Sequence, residues 1–295
     1  MAEKTIAANT AYTPKYKRKF KWKWGEFGRV CVLVFYVLVV IAPIYWMLVT
    51  SLKSYGEITN VAEITFWPKR VTWSNYDQLF DAIEFSRYLK NSLLYSLVTA
   101  LSVVIITMMS GYGMSRYQFK GKGFMLGMWL IAQMIPGILG TIPMYVIYSR
   151  LGLINTRTGL FFVFITGQIP FCTITMRAFF DRIPVSLEEA AFVDGCNRVQ
   201  AIFKIILPVL LPGMAAVFVF AFTAVWNDLM TCVIYTSKSR LWTINVVLKS
   251  MIGRVNVEWG LLMAGGIIAL LPTIIVFAFV QRYVVDGLTA GAVKE

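Results

Sequence analysis

Along the chain, long runs without a charged side chain alternate with short polar segments. Six such runs cover residues 30–50, 91–115, 123–149, 158–176, 205–227 and 259–281, with lengths of 21, 25, 27, 19, 23 and 23 residues. A helix needs about 20 apolar residues to cross a hydrocarbon core of about 30 Å. Each run is therefore long enough to span, the longer ones by tilting, kinking or extending past the interface. The pattern predicts an all-α integral membrane fold with six transmembrane helices. Pro43, Pro136, Pro143, Pro170 and Pro272 lie inside the runs. Each proline removes a backbone donor and crowds the preceding turn, so kinks or breaks are expected there.

Composition narrows the function. Of 295 residues, 58% are hydrophobic and 15% charged, against about a quarter charged in an ordinary soluble domain. The six runs leave no room for a sizeable soluble domain. Histidine is absent, which removes the commonest metal ligand and any imidazole chemistry. Cys31, Cys172, Cys196 and Cys232 are widely spaced, so they read as small hydrophobes rather than a disulfide framework or a metal site. The net charge of +13 reads as basic excess at a membrane's cytoplasmic face, not as a nucleic-acid interface.

Orientation follows from where those charges fall. With both termini in the cytoplasm, the inner segments 1–29, 116–122, 177–204 and 282–295 carry 17 Lys and Arg in 78 residues. The outer segments 53–90, 150–157 and 228–258 carry 11 in 77. The positive-inside bias thus predicts cytoplasmic termini. The expected organisation is a basic tail over 1–29, a transmembrane domain over 30–282 and a C-terminal tail over 283–295. Lys15 to Trp24 interleaves cations with aromatics, a composition suited to an anionic headgroup layer and equally to a disordered leader. A cleaved signal is not expected, since the first run ends in Trp46, Met47 and Leu48 rather than small residues. The outer segment with Phe66-Trp67-Pro68 and Trp73-Ser74-Asn75-Tyr76 is expected to be loop and short interfacial helix.

The chemically informative stretch is the segment 184–206. Ser186 followed three residues later by Glu189 predicts a capping box opening a helix. Gly195 suits the left-handed turn that closes it. Asn197 is a candidate N-cap for a second short helix to Ile206, with Pro208 barring its continuation. Read by pattern alone, such a helix-turn-helix also fits an inert interfacial elbow.

The fixed positions carry more. Glu189-Ala190-Ala191, three residues, Gly195, nine residues, Ile205, one residue and Leu207-Pro208 resemble the EAA signature of permease subunits in binding-protein-dependent ABC importers. Gly111-Tyr112-Gly113-Met114-Ser115-Arg116, then Phe119 and Gly121-Lys122, resemble the Ala-Tyr-Ala-x-x-Arg turn of carbohydrate-importing permeases, with glycine at both alanines. Ile135-Pro136, Pro143, Tyr145 and Leu151 to Thr156 are similar to that family's third span. Gln281-Arg282-Tyr283 and Gly287 to Lys294 resemble the tail of the second permease subunit of the maltose-type importer.

This resemblance implies one half of a heteromeric carbohydrate import pathway in a bacterial inner membrane. The implied partners are a second permease subunit, two cytosolic ATPase subunits, an extracytoplasmic sugar-binding protein and membrane lipid. ATP and Mg would be held by the ATPase subunits; the chain has no Gly-x-x-x-x-Gly-Lys-Ser/Thr loop, and no cofactor, metal site or catalytic residue is expected on it. Ser186, Glu188, Glu189, Ala190, Ala191, Asp194, Gly195, Ile205, Leu207 and Pro208 would form the ATPase-coupling loop. Gly287, Leu288, Thr289, Ala290, Gly291 and Lys294 would bring the tail to the ATPase interface. The segment 237–258 is the outer segment expected to meet the binding protein.

Four polar residues, Gln133, Gln168, Asn227 and Asp228, are candidates to line the pathway, because polar groups at membrane depth are costly. Asp228 also fits a structural position in the headgroup layer, the favoured reading, and in maltose-type importers the sugar pocket lies chiefly in the partner permease. The solute reads as an oligosaccharide such as a maltodextrin, with a sugar phosphate or other solute as the second reading. An ion-coupled transporter would show intramembrane carboxylates and inverted repeats, where this chain offers at most Asp228. An intramembrane enzyme lacks a catalytic constellation here.

Overall fold

The computed structural model describes residues 24–60, 62–81, 83–252 and 257–289, with side chains described within 26–281. The basic aromatic stretch before Trp24 lies outside these residues. In chain order the helices are α1 (Trp24–Ser51), α2 (Tyr55–Thr59), α3 (Ser74–Asp81), α4 (Phe85–Arg116), α5 (Lys122–Met134), α6 (Gly137–Arg150), α7 (Arg157–Asp181), α8 (Val185–Val193) and α9 (Arg198–Ala201). A π-helical turn (Ile202–Ile206) leads into α10 (Leu207–Trp226), then come α11 (Met230–Tyr235), a 3-10 turn (Ser239–Leu241), α12 (Ile244–Ile252) and α13 (Trp259–Thr289). No strand occurs among the described residues.

The chain forms two units that divide between Tyr45 and Trp46. In the first, residues 26–45 are one apolar helix with exposed side chains all round, Leu33, Phe35 and Tyr36 among them. A helix apolar on every face requires lipid or another apolar surface around it.

The second unit is built on α4. Val103 of α4 is buried with Met176 and Phe180 of α7 and with Val217, Phe222 and Trp226 of α10. Among the described residues five helices are long and apolar enough to cross a membrane: Glu26–Ser51, Phe85–Arg116, Arg157–Asp181, Arg198–Trp226 and Trp259–Gln281. They correspond to five of the six charge-free runs, and the first four begin earlier than their runs, in polar sequence. The remaining run, 123–149, is not one straight span: α5 and α6 meet at 106°. The break falls at Ile135-Pro136, where Ile135 is extended at φ −81° and ψ 124°. A residue before proline is pushed out of helical geometry, and the proline supplies no donor to rejoin the ladder.

Polar side chains seal the end of the bundle that carries α2, α3 and α12. Asn75 on α3 donates to the carbonyls of Ser51 and Lys53, both at 2.8 Å, satisfying orphan acceptors where α1 stops. Asn91 on α4 donates to the carbonyls of Arg240 (2.9 Å) and Trp242 (3.0 Å), and the Ser92 hydroxyl accepts from the Ile244 amide at 2.8 Å. The segment expected as an outer loop is therefore partly helix, with Ile244, Val246, Val247 and Met251 buried. In the segment before α4, Phe66, Trp67 and Trp73 stand exposed.

Candidate functional site

The α8–α9 element lies at the opposite end of the bundle, where α4 and α7 finish and α10 begins. Its start corrects the sequence reading. The N-cap is Pro184, at φ −58° and ψ 135°, with no side-chain cap, so Ser186 and Glu189 form no capping box. Proline's fixed φ already sets the chain for helix entry, and the Pro184 carbonyl accepts from Leu187 at 3.2 Å. Ser186 is thus inside the helix, too late to cap it. Closure agrees with expectation. Gly195 is left-handed at φ +83°, its amide donates to Phe192 at 3.1 Å, and the Cys196 amide donates to Ala191 at 2.9 Å, the paired bonds of a Schellman turn.

Asn197 caps α9 as expected, in a reciprocal box with Gln200. The far end of this helix differs from expectation: it does not stop at Ile206 but continues as one apolar helix, Arg198–Trp226. The turn before Pro208 widens to π geometry, with the Leu207 amide donating back to Ile202. That widening gives the proline ring room and lets the helix run on.

The element's faces are sharply divided. Ala191, Ala201, Ile206 and Leu210 are buried against the bundle. Outward stand Val193 (87% exposed), Val199, Phe203 and Phe192, beside exposed Glu189, Ala190 and Asp194. The outward face is thus a patch of large apolar side chains bordered by carboxylates, with a composition that a protein partner could cover. Ser186, Gly195, Ile205 and Pro208 are also exposed, while Leu207 is half-buried.

Glu188 points the other way. It is 5% exposed, and its carboxylate accepts from Arg116 Nε and from the Tyr112 hydroxyl at 3.2 Å. Arg116, the last residue of α4, also donates through Nη2 to the Ile183 carbonyl (2.9 Å) and through Nη1 to Ser115 Oγ (3.2 Å). Ser115 donates to Asp181 at 2.5 Å, and Asp181 pairs with Arg177 at 3.3 Å. Arg198 at the start of α9 donates to the Tyr117 hydroxyl, with its guanidinium 5.4 Å over that ring. Sequence spacing singled out Arg116 and Glu188 separately; nothing in it paired residues so far apart in the chain. Gly111 completes the joint. A Cβ there would sit 3.0 Å from Met176 Cγ and 3.1 Å from the Arg177 amide nitrogen, so glycine is what lets α4 lie this close to α7. Gly113 has open space around it, and the structure gives no reason for glycine at that position.

Of the four proposed pathway residues, two come together. Gln168 and Asp228 line a cavity of about 560 Å³ with Thr141, Thr166, Thr231 and Tyr235. Asp228 lies just past the end of α10, and burial raises its carboxyl above the ordinary carboxylate value, partly offset by hydrogen bonds. Oδ1 accepts from the amides of Thr231 (3.0 Å) and Cys232 (3.4 Å), and Oδ2 from the Thr231 hydroxyl (2.8 Å). Asp228 therefore caps α11 while it borders the cavity. Gln133 is exposed on α5 and donates to the Trp129 carbonyl of its own helix. Asn227 is exposed at the end of α10. The backbone of α13 continues through Gly287, Leu288 and Thr289; their side chains, and Ala290, Gly291 and Lys294 altogether, lie outside the described residues. Among the described residues no cluster of three His, Cys, Asp or Glu could hold a metal ion.

Comparison with known proteins converges on one family. Residues 102–289 match the family described as the binding-protein-dependent transport system inner membrane component. An inner membrane ABC transporter permease protein of Escherichia coli K12, YcjP, is 32% identical, covering 92% of this chain and 97% of its own. The diacetylchitobiose uptake system permease protein DasC of Streptomyces coelicolor is 33% identical, covering 92% and 99%. In fold, the chain resembles one from the crystal structure of a bacterial ABC transporter that imports the acidic polysaccharide alginate, with a TM-score of 0.78, 24% identity and coverage of 92% and 100%. The α8–Gly195–α9 element, the apolar helices and these likenesses agree: the chain belongs to the binding-protein-dependent transport system inner membrane component family, as a multi-pass ABC transporter permease subunit rather than an enzyme.

Proposed function

We propose that this chain is one of two permease subunits of an ATP-driven importer for an oligosaccharide, a maltodextrin-like sugar or a comparable short glycan. The observation that carries the reading is the outward face of α8 and α9. Val193, Phe192, Val199 and Phe203 stand exposed beside Glu189, on an element anchored from behind by Ala191 and Glu188. A cytosolic ATPase subunit is the partner this face fits, and the α8 end with both termini is assigned to the cytoplasm by the positive-inside bias. The second permease subunit closes the pathway, and an extracytoplasmic sugar-binding protein delivers the solute at the α2, α3 and α12 end.

The sugar class is supported by the uptake of diacetylchitobiose named for one relative. The cavity beside Gln168 and Asp228 has the volume of a small-ligand site, about 300–1,000 Å³, and its polar side chains, with Thr141, Thr166, Thr231 and Tyr235 among them, suit the hydroxyls of a passing sugar. Leu288 to Lys294 are assigned to the ATPase interface with α8.

The test is reconstitution of this chain with the permease, ATPase and binding protein encoded beside it. Labelled oligosaccharide should accumulate only when ATP and the binding protein are both supplied. Uptake by this chain alone under an ion gradient would reject the reading in favour of a secondary transporter.

A further inference from the structure

Two adjacent acids on α8 face opposite ways: Glu189 is exposed, Glu188 almost wholly buried. A nine-residue helix is marginal by itself, so it transmits displacement only where it is held. Backbone continuity does not hold it. Between α7 and α8 the chain leaves helical structure at Arg182, Ile183 and Pro184, and between α8 and α9 it turns through Asp194 to Asn197. What crosses these breaks is side-chain bonding. Arg116 binds the Glu188 carboxylate on α8, the Ile183 carbonyl in the link and Ser115 on α4 through three different nitrogens. Ser115 in turn binds Asp181 at the end of α7. A planar guanidinium presents these donors in a fixed fork, which an ammonium does not.

We infer that Glu188 and Arg116 are positioning residues forming the rigid joint through which movement of α8 drives α4 and α7, and that Glu188 takes no part in the ATPase contact. Tyr112 is the third member, closing the second carboxylate oxygen. The inference rests on the docking role proposed for α8, but locates a separate step: docking uses the outward face, and transmission uses the inward one.

The experiment compares Glu188→Gln, Arg116→Lys and Glu189→Ala in the reconstituted complex. It measures membrane level, retention of the ATPase subunits on purification, and sugar taken up per ATP hydrolysed. Glu188→Gln and Arg116→Lys should retain the ATPase and hydrolyse ATP, while uptake per ATP falls about ten-fold. Failure of Arg116→Lys to restore the ratio separates a fixed joint from a need for positive charge alone. Glu189→Ala should instead lose the ATPase. An unchanged ratio in Glu188→Gln overturns the inference, as does release of the ATPase by that variant, which would place Glu188 in the docking contact. If Glu188→Gln fails to insert, Tyr112→Phe decides: removing that one hydrogen bond should halve the ratio, roughly, and an unchanged ratio overturns the joint. ATPase retained by Glu189→Ala rejects the docking reading itself, whatever the Glu188 result.

Discussion

At the α8 end, charged side chains bond across three helices, Arg116 from α4 reaching Glu188 on α8 and Ser115 bridging to Asp181 on α7. Around the cavity, the Asp228 carboxylate bonds only within the turn that opens α11, and the other lining groups are mainly hydroxyls, glycines and apolar side chains. The first arrangement resists distortion, because removing one partner of a buried ion pair strands the other at a cost of about 3–5 kcal/mol. The second is tied across helices only by neutral bonds such as that from the Tyr235 hydroxyl on α11 to the Thr141 carbonyl on α6, at 3.3 Å. This division of stiffness suits the proposed function, in which force is transmitted at one end and a solute passes at the other.

The sharpest way to break the comparison is Gly195→Val. A β-branched residue at φ +83° is strained by about 1–3 kcal/mol, and the strain falls on the Schellman turn that aligns α8 with α9. Uptake should drop more than about ten-fold, since about 1.4 kcal/mol already corresponds to that factor, while insertion stays normal. Normal uptake by an inserted variant would reduce α8 to an elbow.

Gly111→Val should act less severely on uptake and more on stability. Its side chain would press on Met176 and the Arg177 backbone, an overpacking of about 1–3 kcal/mol, seen as a lower melting temperature in detergent and a reduced yield of complex. At the cavity, Gln168→Leu should leave assembly untouched and raise the KM for uptake about three-fold, less than the loss of one hydrogen bond to a charged group would produce. A change as large as that of Gly195→Val would show that the cavity is a tight binding site.

The smallest effect concerns pH. Burial raises the Asp228 carboxyl above its ordinary value, so in the acid range the folded chain binds more protons than the unfolded one. Stability from this group then falls as pH rises from the unfolded pKa through the raised folded one. Asp228→Asn keeps an amide able to cap α11 and removes the titration. Relative to that variant, wild type should lose melting temperature between acid and neutral pH; parallel curves would show that the carboxylate is fully compensated.

The amino-acid sequence by itself determined the helices, the basic asymmetry, and the turn at Gly195 with the cap at Asn197. These depend on run length, local charge and residues within one turn of each other, all local in the chain. Tertiary structure decided the rest. The 106° break sat at a proline visible in the sequence, but only packing shows whether a proline kinks a helix or splits it. Ser186 and Glu189 had the spacing of a capping box, and Pro184 pre-empted them by starting the helix earlier. Pro208 looked like a stop until the π turn before it made room. Which of Glu188 and Glu189 faces inward depends on where Arg116 and Tyr112 stand, and those residues lie 72 and 76 positions away. Only the close approach of α4 to α7, made possible by Gly111, brings them to the same joint.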